Sequence, residues 1–221
     1  MSIAITDDHL TLSHTVKDFL SRRDARGDSR RLLEAPEEGL PSWWKEVAEL
    51  GWLGLHLPED QGGSGFGMEE LVVVVEDFGR AVAPSPFVPT VIVSAVLAAS
   101  GSSAVTRHIP GLADGTVTAG VGLAGNITVK NGTASGNGGT VLGGATAQLV
   151  LLPAGDDAVL VAVGDGATVT TPPNLDPTRR TSKIELDNAP VAVLAGGRRL
   201  LTDYARLLLA AEAVGMAREC T

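Results

Sequence analysis

The sequence predicts an α+β chain: an all-α N-terminal domain, then a β-barrel or sandwich domain, then a terminal helix whose apolar stripe calls for a partner outside the chain. Three observations predict it. Up to about residue 114, apolar residues return at the three- and four-residue spacing of helices. From about Thr116 they come in short runs separated by glycine, asparagine and aspartate, the texture of antiparallel strands and turns. From about residue 199 a leucine-rich helical stripe resumes and runs to the end. The 221 residues therefore divide into 1–114, 115–198 and 199–221.

Taken in order, Thr6 is placed to cap a helix over about 6–23, with Leu10, Val16, Phe19 and Leu20 on its apolar face. Pro41 suits the first turn of a second helix through Trp43, Trp44, Val47 and Leu50 that stops at Gly51, and one of the two indoles is expected inside. Residues 68–82 carry four consecutive valines that would also suit a strand. Helix is preferred because Glu69, Glu70, Glu76 and Asp77 occur where a buried strand would not accept them. Pro84 and Pro86 break it. Two short helices follow over 89–100 and 102–112, and Pro110 is expected to end or kink the second. Strands are expected over 117–123, 127–130, 133–136, 148–153, 158–163, 168–171, 181–186 and 191–194, with Asn131-Gly132 as a two-residue hairpin turn. The last helix spans about 199–219, through Leu200, Leu201, Tyr204, Leu207, Leu208, Ala211, Val214 and Gly215. No repeat with a period of 20 to 50 residues is visible.

Composition narrows the function classes. The formal net charge is −9 and the basic residues form no stripe, so nucleic acid is not an expected partner. No apolar run reaches the roughly 20 residues needed to span a bilayer. The start lacks a basic stretch followed by an apolar core, so an export signal is not expected. A single cysteine, Cys220, excludes an internal disulfide and a cysteine-based zinc site, which fits a reducing cytoplasm. His9, His14, His56 and His108 show no metal-ligand spacing, and no metal site is expected. Arg179, Arg180 and Lys183 suit either an anionic ligand or, more simply, a solvated loop.

One stretch is more specific. Leu50 to Gly65, LGWLGLHLPEDQGGSG, is a glycine-bracketed apolar segment leading into Pro-Glu and a Gly-Gly-x-Gly turn. It resembles the N-terminal signature of the acyl-CoA dehydrogenases. Asn174 to Arg180, followed by Ile184 to Val191, is similar to the closing strands of that family's middle domain, and Ala211 to Ala217 to the opening helix of its third domain. The resemblance covers essentially the whole chain and ends where the family's C-terminal helical bundle should begin. It therefore implies that 199–221 is the first helix of a missing bundle, and that the chain is truncated.

The resemblance implies FAD as cofactor and an acyl-CoA thioester as substrate. In the family the flavin accepts a hydride from the β-carbon while a carboxylate takes the α-proton. That base belongs to the bundle, so no catalytic residue is expected here. The family's middle domain holds the flavin with Thr-Glu-Pro-type and Trp-Ile-Thr-type segments. This sequence departs at both, with Ala119 to Gly125 and Val141 to Ala145 in their places. Cofactor contacts are accordingly expected from Val121, Gly122, Leu123, Gly143 and Gly144, through backbone amides that glycine leaves accessible, although each glycine equally suits a turn. Such departures resemble a branch that degrades steroid side chains with paired unlike subunits. An electron-transfer acceptor protein and a homo- or hetero-oligomer of related subunits are the implied partners. The alternative is a non-catalytic subunit or half that pairs with an active one.

Overall fold

A computed structural model describes residues 5–221. The Thr6 hydroxyl accepts the His9 amide and His9 Nδ1 accepts the Thr6 amide, a reciprocal cap that starts α1 (Asp7–Arg22) and leaves Val16, Phe19 and Leu20 buried. The chain then turns at Asp24, held at φ 51°, and restarts as α2 (Ala25–Leu32). The sequence does not predict this second helix, because ARGDSRRL carries almost no apolar periodicity. It is held instead by the Asp24 cap, by Asp28 accepting from the Trp43 indole and by Ser29 donating to the Val82 carbonyl.

Beyond α3 (Trp44–Glu49), Gly51 takes the left-handed conformation the sequence assigned to it, at φ 74°. Both Trp43 and Trp44 are buried, in contrast to the expectation of one inward ring. Each indole N–H has its own acceptor, Asp28 Oδ2 at 2.8 Å and the Gly115 carbonyl at 2.9 Å, so neither ring needs solvent. Trp43 and Trp52 pack edge-on against Phe19 and Phe78. The signature segment folds into two 3-10 turns, Trp52–Gly54 and Glu59–Gln61, closed by bonds from Gly63 to Pro58 and from Gly65 to Leu57. A Cβ on Gly63 would lie 2.0 Å from the Leu57 carbonyl, so this glycine is required by the turn itself.

Helix is the outcome for the valine run: α4 spans Met68–Ala81, with the Gly67 amide donating to Glu70. In α5 (Phe87–Ser100), 11 of 14 residues are buried, which makes it the central rod of the helical part. Its buried polar residues are both satisfied, Thr90 at long range by accepting the Ala119 amide and Ser94 locally by donating to the Val91 carbonyl. Two short helices, α6 (Ser103–Thr106) and α7 (Ile109–Ala113), complete this part. Pro110 sits in the first turn of α7 and thus begins a helix where an end or kink was expected, since a first-turn residue needs no N–H.

Seven strands form one sheet in the order β2-β3-β1-β4-β5-β7-β6. They are β1 (Ala119–Gly122), β2 (Asn126–Lys130), β3 (Thr133–Leu142), β4 (Leu149–Ala154), β5 (Asp157–Ala162), β6 (Ala167–Thr170) and β7 (Thr181–Leu194). An additional β3–β7 pairing closes β1, β3, β4, β5 and β7 into a barrel, and β2 and β6 extend from the two long strands. Asn131-Gly132 makes the β2–β3 hairpin with φ 51° and 79°. The strands expected over 181–186 and 191–194 are a single 14-residue strand that passes through Asp187-Asn188. Asn188 tolerates φ 49° there and Pro190 lies opposite Thr133, so these breaker residues irregularise the ladder without ending it. Similarly, β3 continues six residues past its expected end, bending at Gly136 and Gly139.

The final helix, α8 (Gly197–Glu219), lies along α4 and α5. Its contact with α4 is backbone to backbone: a Cβ on Gly215 would fall 1.9 Å from the Glu76 carbonyl, and one on Gly79 would fall 2.2 Å from the Glu212 carbonyl. One apolar core runs from α1 through α5 into β1, β4, β5 and α8, and a second fills the barrel around Val141, Leu152, Val159 and Ile184. No helix among the described residues is long and apolar enough to cross a membrane.

Candidate functional site

The two glycine-rich segments singled out in the sequence meet in space. Ala119 to Gly125 is β1 and the loop after it, Val141 to Ala145 is the end of β3 and its turn, and the two pair with Val121 opposite Leu142 and Gly122 opposite Val141. Against this edge α8 brings Leu209. Between them lies a groove of about 440 Å³ whose walls are mostly apolar, formed by Val121, Leu123, Leu142 and Leu209, with Thr140 and Thr181 as the hydroxyl-bearing residues. The Thr181 hydroxyl is already committed, donating to Asn174 Oδ1 at 2.8 Å.

The five predicted cofactor residues are only partly brought together. Val121 and Leu123 line the groove, Val121 almost covered and Leu123 with about half its surface free at 47%. The glycines turn their Cα hydrogens into packing. A Cβ on Gly122 would meet Leu152 at 2.7 Å, one on Gly144 would meet Ser182 at 2.7 Å, and Gly143, at φ 71°, abuts Pro89 of α5. Neighbouring side chains thus account for glycine at all three positions. What these residues offer a ligand is backbone N–H and C=O.

A polar cluster the sequence undervalued lies next in the chain to two groove residues, Thr181 and Leu209. Arg179 pairs with Glu212 of α8 at 2.6 Å, with only 13% and 9% of the two side chains exposed. Arg180 donates to the carbonyls of Ala35 and Pro36, and its amide donates to Glu38. The expected solvated loop is therefore corrected for all three: the arginines are tied down, and Lys183, though exposed, is a residue of β7 paired with Thr140 and Thr170. The two arginines lock the β6–β7 connection onto the helical part. Burial raises the Glu38 carboxyl above its ordinary range, opposed by the Arg180 amide and the nearby arginine charges. Nothing in the local sequence marks Glu212 as a partner, because its spacing places it on the stripe that carries Leu208 and Ala211.

The histidines form no site. His9 Nε2 lies 3.3 Å from Glu70 and tethers α1 to α4. His56 Nε2 lies 3.2 Å from Ser94 Oγ, while its Nδ1 is sealed without a partner even though the residue as a whole keeps some exposed surface. Desolvation lowers its pKa to about 4, so the ring stays neutral at ordinary pH. Among the described residues, no three His, Cys, Asp or Glu side chains gather as a metal site, and Cys220 is an exposed free thiol.

Comparison with known proteins bears on the family and the fold. The family model described as "Acyl-CoA dehydrogenase, N-terminal domain" matches residues 6–116, half of the chain. The acyl-CoA dehydrogenase FadE34 of Mycobacterium tuberculosis is 38% identical over 189 residues, covering 82% of this chain and 26% of FadE34. The acyl-CoA dehydrogenase IpdE2 of Mycolicibacterium smegmatis is 26% identical over 217 residues, 98% of this chain and 63% of IpdE2. Among solved structures, the ChsE4-ChsE5 complex from Mycobacterium tuberculosis superposes with a TM-score of 0.87 at 23% identity over 99% of this chain and 66% of the matched one. The steroid ACAD Tcur3481-Tcur3483 gives 0.86 at 24% identity over 98% and 65%. The chain thus spans about a quarter of FadE34 and somewhat under two thirds of IpdE2. From its matched N-terminal half, its helical part followed by a barrel, and its likeness to FadE34, the chain belongs to the acyl-CoA dehydrogenase family.

Proposed function

We propose that this chain is the front part of an FAD-dependent acyl-CoA dehydrogenase that oxidises the α,β-bond of a CoA thioester carrying a bulky, steroid-derived acyl group. The apolar groove carries the reading: the two segments that hold flavin in the family meet there, under α8. The steroid preference draws on the fold shared with a steroid ACAD. The unit is read as a helical domain over 1–114, a barrel over 115–198 and, over 199–221, the first helix of a bundle. The part of the relatives' length that lies beyond the matched region supplies the second wall of the site. A cytoplasmic setting, an electron-transfer acceptor protein and a homo- or hetero-oligomer of related subunits complete the proposal.

The groove fits one face of a flat aromatic ring system. Val121, Leu142 and Leu209 present an apolar surface that would cover it and exclude water. Its polar edge is less well served, since Thr140 and backbone groups of Val121 to Leu123 are the donors and acceptors at hand. Flavin, when bound, supplies the hydride acceptor. None of the groove-lining residues is a carboxylate, so the base is not among them, and the reading assigns it to the bundle that follows in the family. The role left to this chain is to position the ring and the thioester.

A second reading, a non-catalytic half that pairs with an active subunit, is favoured by the three glycines whose side-chain space is filled by Leu152, Pro89 and Ser182. Flavin titration separates the possibilities. With one wall only, the chain alone is expected to bind FAD weakly or not at all, and submicromolar affinity would refute the one-walled site. The full-length protein expressed without other subunits is expected to purify yellow and to reduce a dye acceptor with a steroid acyl-CoA. A colourless, inert full-length protein selects the second reading.

A further inference from the structure

We propose that the buried Arg179–Glu212 ion pair is the positioning contact that fixes how far the barrel edge stands from α8, and so sets the width of the apolar groove. The proposal rests on the groove being the ligand site, but the spacing itself is measurable with no ligand present.

Glu212 is one helical turn beyond Leu209, and Arg179 is two residues before Thr181. Leu209 and Thr181 both line the groove, and the ion pair joins α8 to the connection that leads directly into β7, one step along from them. Both ends of that pair are anchored. The Glu212 carbonyl lies so close to Gly79 that a single added methyl would sit 2.2 Å away, which holds this turn of α8 on α4. Arg179 is fixed by its neighbour Arg180, tied to Ala35, Pro36 and Glu38. Apolar contacts between Leu142 and Leu209 would tolerate sliding, because burial is non-directional. An ion pair at 2.6 Å between two covered side chains favours one close spacing of those two groups over wider ones. If the pair served stability alone, a matched apolar pair would do as well.

The test places spin labels at Thr140→Cys on the barrel edge and Ala210→Cys on the outer face of α8, in a Cys220→Ser background, and reads the distance distribution by pulsed electron resonance. Wild type is expected to give one narrow peak. The double variant Arg179→Met/Glu212→Leu, which keeps volume and removes the specified distance, is expected to melt near wild type while its distribution broadens and its mean lengthens by one to a few ångströms. The charge-reversed pair Arg179→Glu/Glu212→Arg is expected to restore the narrow peak. Should the apolar double variant fail to fold, Glu212→Gln takes its place, with an intermediate broadening expected. A substituted pair as narrow as wild type, or a reversed pair as broad as the apolar one, overturns the proposal. A narrow wild-type groove in a full-length protein that never takes up flavin would instead sink the ligand reading and leave the spacer role intact.

Discussion

Replacing Gly215 by alanine tests the close backbone approach of α8 to α4. An added Cβ would lie 1.9 Å from the Glu76 carbonyl oxygen and 2.8 Å from the Arg80 amide, both backbone atoms of α4 that cannot swing aside. Ordinary contact begins near 3.4 Å, so α8 would have to lift by about 1.5 Å, loosening Leu208, Ala211 and Leu201 from the core. Two effects oppose each other. Alanine favours a helix interior over glycine by about 1 kcal/mol. Overpacking against rigid backbone costs about 3 kcal/mol, the upper end of its usual range, because no side chain can yield. A net destabilisation of about 2 kcal/mol follows, which in a chain of this size lowers the melting temperature by roughly 4–8 °C. Urea and thermal melts monitored by circular dichroism measure it. Gly39→Ala, with nothing within 4 Å of its new methyl, is the control expected to stay near neutral. A Gly215→Ala protein as stable as wild type, or more so, would show that α4 and α8 do not meet backbone to backbone.

Three further outcomes are expected. The His56 pKa is depressed in the folded state to about 4 from an unfolded value near 6.5, so its contribution is intact above pH 6.5 and lost as pH falls toward 4. The loss amounts to about 3 kcal/mol, and His56→Leu should flatten that part of the stability profile in urea melts at stepped pH. Glu212→Leu alone strands the Arg179 charge and costs about 3–5 kcal/mol; Arg179→Met/Glu212→Leu should recover most of it, and failure to recover would contradict burial of the pair. Gly132→Ala forces a side chain into φ 79° at the β2–β3 turn and costs about 1 kcal/mol, read as a lower urea midpoint with unchanged slope.

Where residues interact with their sequence neighbours, the fold is legible before any coordinates. The Thr6 cap, the left-handed Gly51 and the Asn131-Gly132 hairpin are decided within four residues, and the valine run declares itself a helix through its acidic flanks. Long-range contacts are not visible in that way. The polar helix α2 is held by Trp43 and Val82, the second indole goes inside because Gly115 supplies an acceptor 71 residues away, and β7 survives Asn188-Ala189-Pro190 because β3 pairs alongside it. The candidate site follows the same rule. Its two glycine-rich segments stand out in the sequence, while Leu209, which lines the groove, and Glu212, which pairs with Arg179, sit within an ordinary leucine stripe. Glycine carries two meanings when read alone: Gly122, Gly143 and Gly144 suggest access for a ligand, and each also has a side chain packed where a Cβ would stand.

The interior shared by the helical part and the barrel has a mechanical consequence. Val91 and Val96 of α5, Leu151 of β4 and Leu208 of α8 belong to one uninterrupted apolar body, and the passage from Ala113 to Ala119 is stitched down by bonds from Val117 to Gly111 and from Gln148 to Thr118. Helices and barrel therefore act as a single cooperative unit with no compliant hinge between them. A load applied to α8 from outside would reach the barrel edge as a rigid displacement, and the groove would feel it directly.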